Sequence, residues 1–385
     1  MSRKILVTIS DHPGKSVLIN EICAAWTEND RIYSLSKSKK EPVIENISVP
    51  MEAVTIPTGK NEAEIWEIFD TIYAIFQEED EVTIDISSCP RIVEMLISSL
   101  LQYAKFLKNI RVKGIYCGRT GHSGKHAHIN LTAFSDIQDW SIAANDFVNF
   151  GNSKKLNNLT KAHLAPILKA SHGHNEIAER LRELNNHIEN LSLNIITNRG
   201  RSLMEGHNSH QILEILDHLE QHLIEPLNPI LFKIKTSVRE IHKGKNDKKN
   251  MLSAVQWCID KLLIQEGFTL LQEGIISHFL EDYNNKIKRD FASAYLNHRF
   301  REDFNTGLFS EVEMAVTNEL QGYFETLPHI NEWSHLFAQI TNIRNDINHG
   351  GMTDSAIQSN RFEIKLKELY EKTKELLKLN PVDNS

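Results

Sequence analysis

Glu81-Val82-Thr83-Ile84-Asp85-Ile86-Ser87-Ser88-Cys89-Pro90-Arg91 runs straight into an apolar stretch from Ile92 to Leu107. Glu81 to Ile86 is β-rich and carries Asp85 at its end, Ser87 to Arg91 is a polar loop, and Ile92 to Leu107 has helical character. Strand, polar loop and helix in succession make the repeating unit of an α/β domain. The same unit opens the chain: Lys4 to Ile9 is an apolar β-rich run, Ser10 to Gly14 a loop signal, and Val17 to Trp26 a helix. Glu52 to Pro57 reads as a further strand. Glu62 to Gln77 reads as a helix with Ile65, Phe69, Ile72 and Phe76 on one face. Ile110 to Cys117 is another strand, followed by Gly118-Arg119-Thr120-Gly121-His122-Ser123-Gly124. This alternation predicts a mostly parallel sheet with helices on both faces, whose ligands bind beyond the carboxyl ends of the strands.

Three loops fall at those ends: Ser10–Lys15, Ser87–Arg91 and Gly118–Gly124. They offer hydroxyls, backbone N–H groups near helix starts, and the cations Lys15, Arg91 and Arg119, a chemistry suited to phosphates and nucleobases. The candidate ligand-binding residues are Ser10, Asp11, Lys15, Ser87, Ser88, Arg91, Gly118 and Arg119. The competing reading is a set of ordinary connecting loops. Gly14-Lys15-Ser16 is not a phosphate loop, because Ile9 stands where its first glycine is needed. The later glycines are spaced G-x-x-G-x-x-G, which is not the dinucleotide fingerprint, so a dehydrogenase or kinase lacks its signature.

The totals bound the rest. With 385 residues the chain has room for two or three domains. It is 41% hydrophobic and 24% charged, an ordinary globular composition. A net charge of −8 argues against a general nucleic-acid coat protein and leaves RNA binding in a local cleft open. Cys23, Cys89, Cys117 and Cys258 contain no C-x-x-C pair and point to a reducing compartment. No apolar run is long enough to span a membrane, and Met-Ser-Arg-Lys leads directly into a strand. The expected location is the cytoplasm.

Strand signals fade after about Asn152. Ile177, Leu181, Leu184, Ile188, Leu191 and Ile195 keep a four-three rhythm, and Ile212–Leu223, Leu231–Ile241, Leu252–Leu263 and Phe268–Leu280 continue the helical pattern. Lys243 to Lys249 (KGKNDKK) is the most linker-like stretch. The reading is therefore an α/β domain over 1–153, a helical connector over 154–245 and a compact all-α domain over 246–385. His218 and His222 are four apart on a helix, but no third metal ligand is evident and Glu220 is misplaced for H-E-x-x-H, so no metal site is assigned. Glu266 reads as a surface charge, and Glu273 as either a surface charge or a buried orienting carboxylate.

Near the end stands Ile340-Thr341-Asn342-Ile343-Arg344-Asn345-Asp346-Ile347-Asn348-His349-Gly350-Gly351. Leu336, Ile340, Ile343 and Ile347 share one helical face, and the two glycines stop the helix. Arg344, Asn345 and His349 lie off the stripe and are the candidate catalytic residues. His349 can exchange protons near neutral pH, Arg344 can hold a phosphate oxygen, and Asn345 shares a face with His349. Arg344 and His349 are about 140° apart around an ideal helix, so one copy does not converge them.

Two resemblances join these halves. VTIPTGKNEAEIWEIFDTI, EVTIDISSCPR, IRVKGIYCG and INLTAFSDIQDWSIAANDFVNFGN resemble the N-terminal CARF sensor domain of type III CRISPR-associated proteins of the DxTHG family. Asp85-Ile86-Ser87-Ser88-Cys89 falls on that family's Asp-x-Thr-His-Gly, with Ser88 and Cys89 in place of His and Gly. Arg344-Asn345-Asp346-Ile347-Asn348-His349 is similar to the Arg, four to six residues, His motif of HEPN ribonucleases. The resemblance implies a Rossmann-like sensor followed by an all-α HEPN-type domain, in a homodimer or higher oligomer. It further implies a metal-independent endoribonuclease acting on single-stranded RNA in antiviral defence. Its allosteric activator would be cyclic tetra- or hexa-adenylate, and it would need no cofactor. The alternative is a ligand-sensing regulator or scaffold without nuclease activity.

Overall fold

A computed structural model describes residues 2–9, 17–23, 26–37, 49–87, 89, 91–120, 126–219, 227–298, 311–352 and 356–379. The chain forms two compact units, Met1–Asp139 and Trp140–Ser385.

The first unit contains β1 (Lys4–Ile9), α1 (Val17–Cys23), β2 (Arg31–Ser36), β3 (Met51–Thr55), α2 (Glu62–Ile75), β4 (Glu81–Asp85), α3 (Arg91–Lys108), β5 (Arg111–Thr120) and β6 (His126–Asn130). Its sheet has the order β3-β2-β1-β4-β5-β6. Pairing is parallel from β3 to β5, and β6 closes the edge antiparallel. Successive side chains of a strand face opposite layers, and here both layers are covered. Ile5, Val7 and Ile9 join the core that includes Ile68 and Ile72 of α2 and Val93, Ile97 and Leu100 of α3. Leu6 and Ile32 join Ile19 and Cys23 of α1 on the other face. The strand order reverses between β1 and β4. The carboxyl ends of β1 and β4 therefore flank the switch point, where open α/β sheets take ligands.

Two strands were not anticipated. β2 carries Ser34 and Ser36, which interrupt an apolar run although every residue after Arg31 is buried. β6 reads HAHIN and is mostly polar. The stretch read as a loop from Gly118 is strand through Thr120: Gly118, Arg119 and Thr120 pair with His128, Ala127 and His126.

α4 (Thr132–Phe150) begins in the first unit, and its later residues Ala143, Ala144 and Phe147 enter the core of the second. α5 (Lys154–Ala170), α6 (Glu176–Ile196), α7 (Gly200–Glu205), α8 (His207–Leu219), α9 (Asn228–Ile241), α10 (Lys249–Asp260) and α11 (Ile264–Phe279) follow. The chain continues with α12 (Lys286–His298), α13 (Glu311–Thr326), α14 (Ile330–Asn348) and α15 (Phe362–Leu379). One continuous apolar core runs from Ala143 to Tyr370, so residues on either side of 245 share it. The polar stretch around Lys243–Lys249 is tied down by Asn250, which is fully buried. Asn250 Oδ1 accepts from the Lys243 N–H at 2.6 Å, and Nδ2 donates to Gly244 O at 2.7 Å and Met204 O at 3.2 Å. A buried amide with its hydrogen-bonding groups met fixes a segment that composition alone marks as linker.

Candidate active site

α14 packs on α11, α12 and α15. Leu336, Ile340 and Ile343 are buried, together with Trp333 and Phe337, and Ile347 packs against the same core. The helix ends in a Schellman turn: the Gly350 N–H reaches Ile347 O and the Gly351 N–H reaches Asp346 O, both at 3.0 Å. Both glycines are left-handed, with φ of 64° and 67°. His349 is the C-cap, and its own N–H donates to Asn345 O at 2.9 Å.

This geometry sorts the three predicted catalytic residues. Asn345 and His349 are both exposed, one turn apart on one face of α14. Arg344 is half-buried and turns to α11, where Nη1 donates to Gln272 Oε1 at 2.8 Å. No hydrogen bond joins Arg344 to His349 among the described residues. Asp346 is structural: its Oδ2 accepts from the Ile357 N–H at 2.9 Å and holds the chain beyond the glycine turn. Beside it lies a recess of about 410 Å³, lined by Ile264 and Gln265 of α11, by Asp346, and by the two glycines. Gln265 also bonds Asn348, Nε2 to Oδ1, at 3.4 Å. The last turn of α14 thus forms one wall of this recess, through Asp346 and Ile347.

Gln272 and Thr341 were not singled out in the sequence. Gln272 Nε2 donates to Thr341 Oγ1 at 2.9 Å, and Thr341 Oγ1 donates to Phe337 O at 2.9 Å. The signal was a polar residue, Thr341, beside a buried stripe, since buried polar groups find partners. Glu273 lies half-buried and pairs with Arg289 of α12. Arg289 also donates to Ser277 Oγ at 3.0 Å and Tyr283 O at 3.2 Å. Glu273 therefore braces α11 against α12. His278, five residues further along α11, stacks on Trp333 with ring centroids 6.1 Å apart, and burial lowers its pKa to about 4.

In the first unit, Ser10, Asp11, Lys15 and Ser88 lie outside the described residues, as does the side chain of Arg119. Ser87 and Gly118 are brought together. Ser87 Oγ donates to Asp85 Oδ1 and accepts from the Gly118 N–H at 2.6 Å, tying the end of β4 to β5. Asp85 is 3% exposed and also accepts from the Ser87 N–H at 3.0 Å. A Cβ on Gly118 would lie 2.7 Å from Ser87 Oγ, so glycine is required there by contact. Arg91 is exposed at the first residue of α3. Cys89 is half-buried, and burial pushes its thiol up to about 12, so it behaves as a small apolar group. No cluster of three or more His, Cys, Asp or Glu suited to a metal occurs among the described residues. His218 is exposed, and His222 lies outside the described residues. No helix among the described residues is long and apolar enough to cross a membrane.

Comparison with known proteins adds three findings. Residues 136–246 match the family described as CRISPR-associated protein MJ1674, second domain. The chain is 23% identical over 235 residues to CRISPR-associated protein MJ1674 of Methanocaldococcus jannaschii. That alignment covers 60% of this chain and 34% of the relative, so it spans about a third of the relative's length. Among solved structures, Enterococcus italicus Csm6 bound to cyclic hexa-2'-fluoro-hexa-dAMP aligns over 98% of this chain and 94% of that one, with a TM-score of 0.40 and 11% identity. Over part of its length the chain is thus similar in sequence to a CRISPR-associated protein.

Proposed function

We propose that this chain is a CRISPR-associated, metal-independent endoribonuclease of type III antiviral defence, switched on by cyclic tetra- or hexa-adenylate. The observation that carries the reading is the end of α14, where Asn345 and His349 stand exposed on one face and Arg344 is anchored beside them. The substrate is single-stranded RNA, whose own 2′-OH attacks the adjacent phosphorus. The O2′–P bond forms and the P–O5′ bond breaks, leaving a 2′,3′-cyclic phosphate and a 5′-hydroxyl. One imidazole takes the 2′-OH proton and one returns a proton to O5′, a role His349 of each copy can fill. Arg344 stabilises charge on the phosphoryl oxygens, and Asn345 orients the imidazole or the phosphate. Two copies of α14 would supply the convergence that one helix lacks.

The sensor is the first unit, whose switch-point loops include Ser87 and Arg91. Ligand bound there by a homodimer or higher oligomer would favour the cleaving arrangement of the helical units through its preference for that state. The setting is the cytoplasm. A second reading, a ligand-sensing regulator or scaffold without cleavage, is favoured by the lack of a hydrogen bond between Arg344 and His349 among the described residues.

The test is cleavage of a fluorescent RNA by wild type and His349→Ala, with each cyclic oligoadenylate, in EDTA and in Mg²⁺. The expected result is ligand-stimulated cleavage that survives EDTA, is lost in His349→Ala, and leaves the all-deoxy oligonucleotide intact. Ligand binding with no cleavage of any RNA would select the regulator.

A further inference from the structure

Gln272 sits on α11 and is 4% exposed. Its amide has no freedom to flip. The guanidinium of Arg344 carries donors only, so the amide face turned to it must be the carbonyl. The NH₂ then points to Thr341 Oγ1 at 2.9 Å, which serves as acceptor because its own proton goes to Phe337 O at 2.9 Å. A single directed chain therefore runs from Phe337 O through the Thr341 hydroxyl and the Gln272 amide to Arg344 Nη1. Arg344 Nε is buried without a hydrogen-bond partner, so among the described residues Gln272 supplies the acceptor that orients the guanidinium. The acceptor is also neutral. A carboxylate in its place would hold the fork and cancel the positive charge that a phosphate needs.

We infer that Gln272, set by Thr341, is the positioning residue that aims Arg344 at the substrate phosphate. The inference rests on the ribonuclease reading and goes beyond it by assigning a role to residues outside the Arg-to-His motif. A planar guanidinium stabilises a transferring phosphoryl group only when its N–H bonds point where charge develops. Losing that aim costs turnover more than it costs binding of the RNA backbone.

The experiment uses the full-length chain, activated as wild type is, with single-turnover and steady-state kinetics on one RNA. Gln272→Met keeps the length and removes both hydrogen bonds. Thr341→Val keeps the shape and removes the hydroxyl, and Thr341→Ser restores it. Gln272→Met and Thr341→Val are expected to lower kcat on the order of tenfold to a hundredfold, the scale of a lost hydrogen bond to a charged group, with KM within about twofold. Thr341→Ser is expected to recover most of the loss. In an Arg344→Ala background, Gln272→Met is expected to change nothing further, because residues acting through one another are not additive.

Losses from Gln272→Met and Arg344→Ala that multiply would overturn the inference, as would an unchanged kcat in both Gln272→Met and Thr341→Val. If Gln272→Met unfolds the chain, the Thr341 pair decides the same question. Wild type that cleaves while these variants keep full turnover sinks the positioning role alone. Wild type that cleaves no RNA under any cyclic oligoadenylate sinks the ribonuclease reading and this role with it.

Discussion

Ser87 and Gly118 offer the sharpest test of how the end of β4 is built. The Ser87 hydroxyl donates to the nearly buried Asp85 carboxylate and accepts from the Gly118 amide at 2.6 Å. Ser87→Ala removes one charge-assisted and one neutral hydrogen bond, and leaves the Gly118 N–H short of its acceptor. Such losses sum to about 2–4 kcal/mol. Gly118→Ala is expected to be at least as damaging, because its Cβ would lie 2.7 Å from Ser87 Oγ and 2.8 Å from Ser87 Cβ. The serine must swing away, breaking the same two bonds while the strand also shifts. The combination Ser87→Gly with Gly118→Ala removes the collision and is expected to be more stable than Gly118→Ala alone. Calorimetric unfolding of the full chain reads this directly. For a unit of about 140 residues, each kcal/mol moves its transition by roughly 3 °C, so Ser87→Ala should unfold about 6–12 °C early. Amide exchange at residue 118 should quicken in step. A Ser87→Ala chain that melts with wild type and protects Gly118 as well would refute the bridging role.

His278 makes stability depend on pH with a definite sign. Its folded pKa is pushed down to about 4, by burial first and by Lys248 second. Above the ordinary value near 6.5 it is neutral in both states and this part of the stability is intact. As pH falls from there towards 4 only the unfolded chain gains the proton, so up to about 3 kcal/mol is lost, with no further change below 4. Chemical denaturation of wild type and His278→Phe between pH 7.5 and 4 should show a steeper fall for wild type; parallel curves would contradict the buried neutral ring. At the turn after His349, Gly350→Ala meets no neighbour but must adopt φ near +64°, at a cost of about 1 kcal/mol. Gly350→Asn should lose less, and equal urea midpoints for all three chains would show that the left-handed turn is not required.

What the residue pattern could reveal depended on how local the cause was. The stripe Leu336–Ile340–Ile343–Ile347 is set by helical periodicity, and the paired glycines by the left-handed Schellman turn, so the element and its end were legible. β2 and β6 were not. A central parallel strand is buried on both faces and usually reads as a continuous apolar run. Ser34 and Ser36 break that run, and β2 is nonetheless an inner strand, paired with β1 on one side and β3 on the other. By sequence Gly118 opens the glycine-containing loop after the Ile110–Cys117 strand. Its φ is not in the left-handed range, and it is glycine because Ser87, 31 residues earlier, occupies the space a Cβ would need. Lys243–Lys249 looked like a linker because its polarity is local, while the buried Asn250 that holds it also reaches back to Met204.

The same distinction explains the last turn of α14. Helical geometry alone separated Arg344 from His349 by about 140°. Within one copy that angle keeps the two from the convergence on one phosphate that the proposed cleavage requires. The partner of Arg344 is 72 residues away in sequence, on a helix whose contact with α14 no local pattern announces. With Gln272 in place the divergence has a physical consequence. Arg344 must leave the exposed face to reach a neutral, oriented acceptor, and His349 must stay on that face, beyond the last apolar residue of the stripe. On the proposed reading, the residue that aims at a phosphate is anchored between helices, and the one that exchanges protons is left in water. Had the two side chains shared one face, the guanidinium would have lost its anchor in α11. The spacing that weakens the motif within one chain is therefore the spacing that holds its arginine.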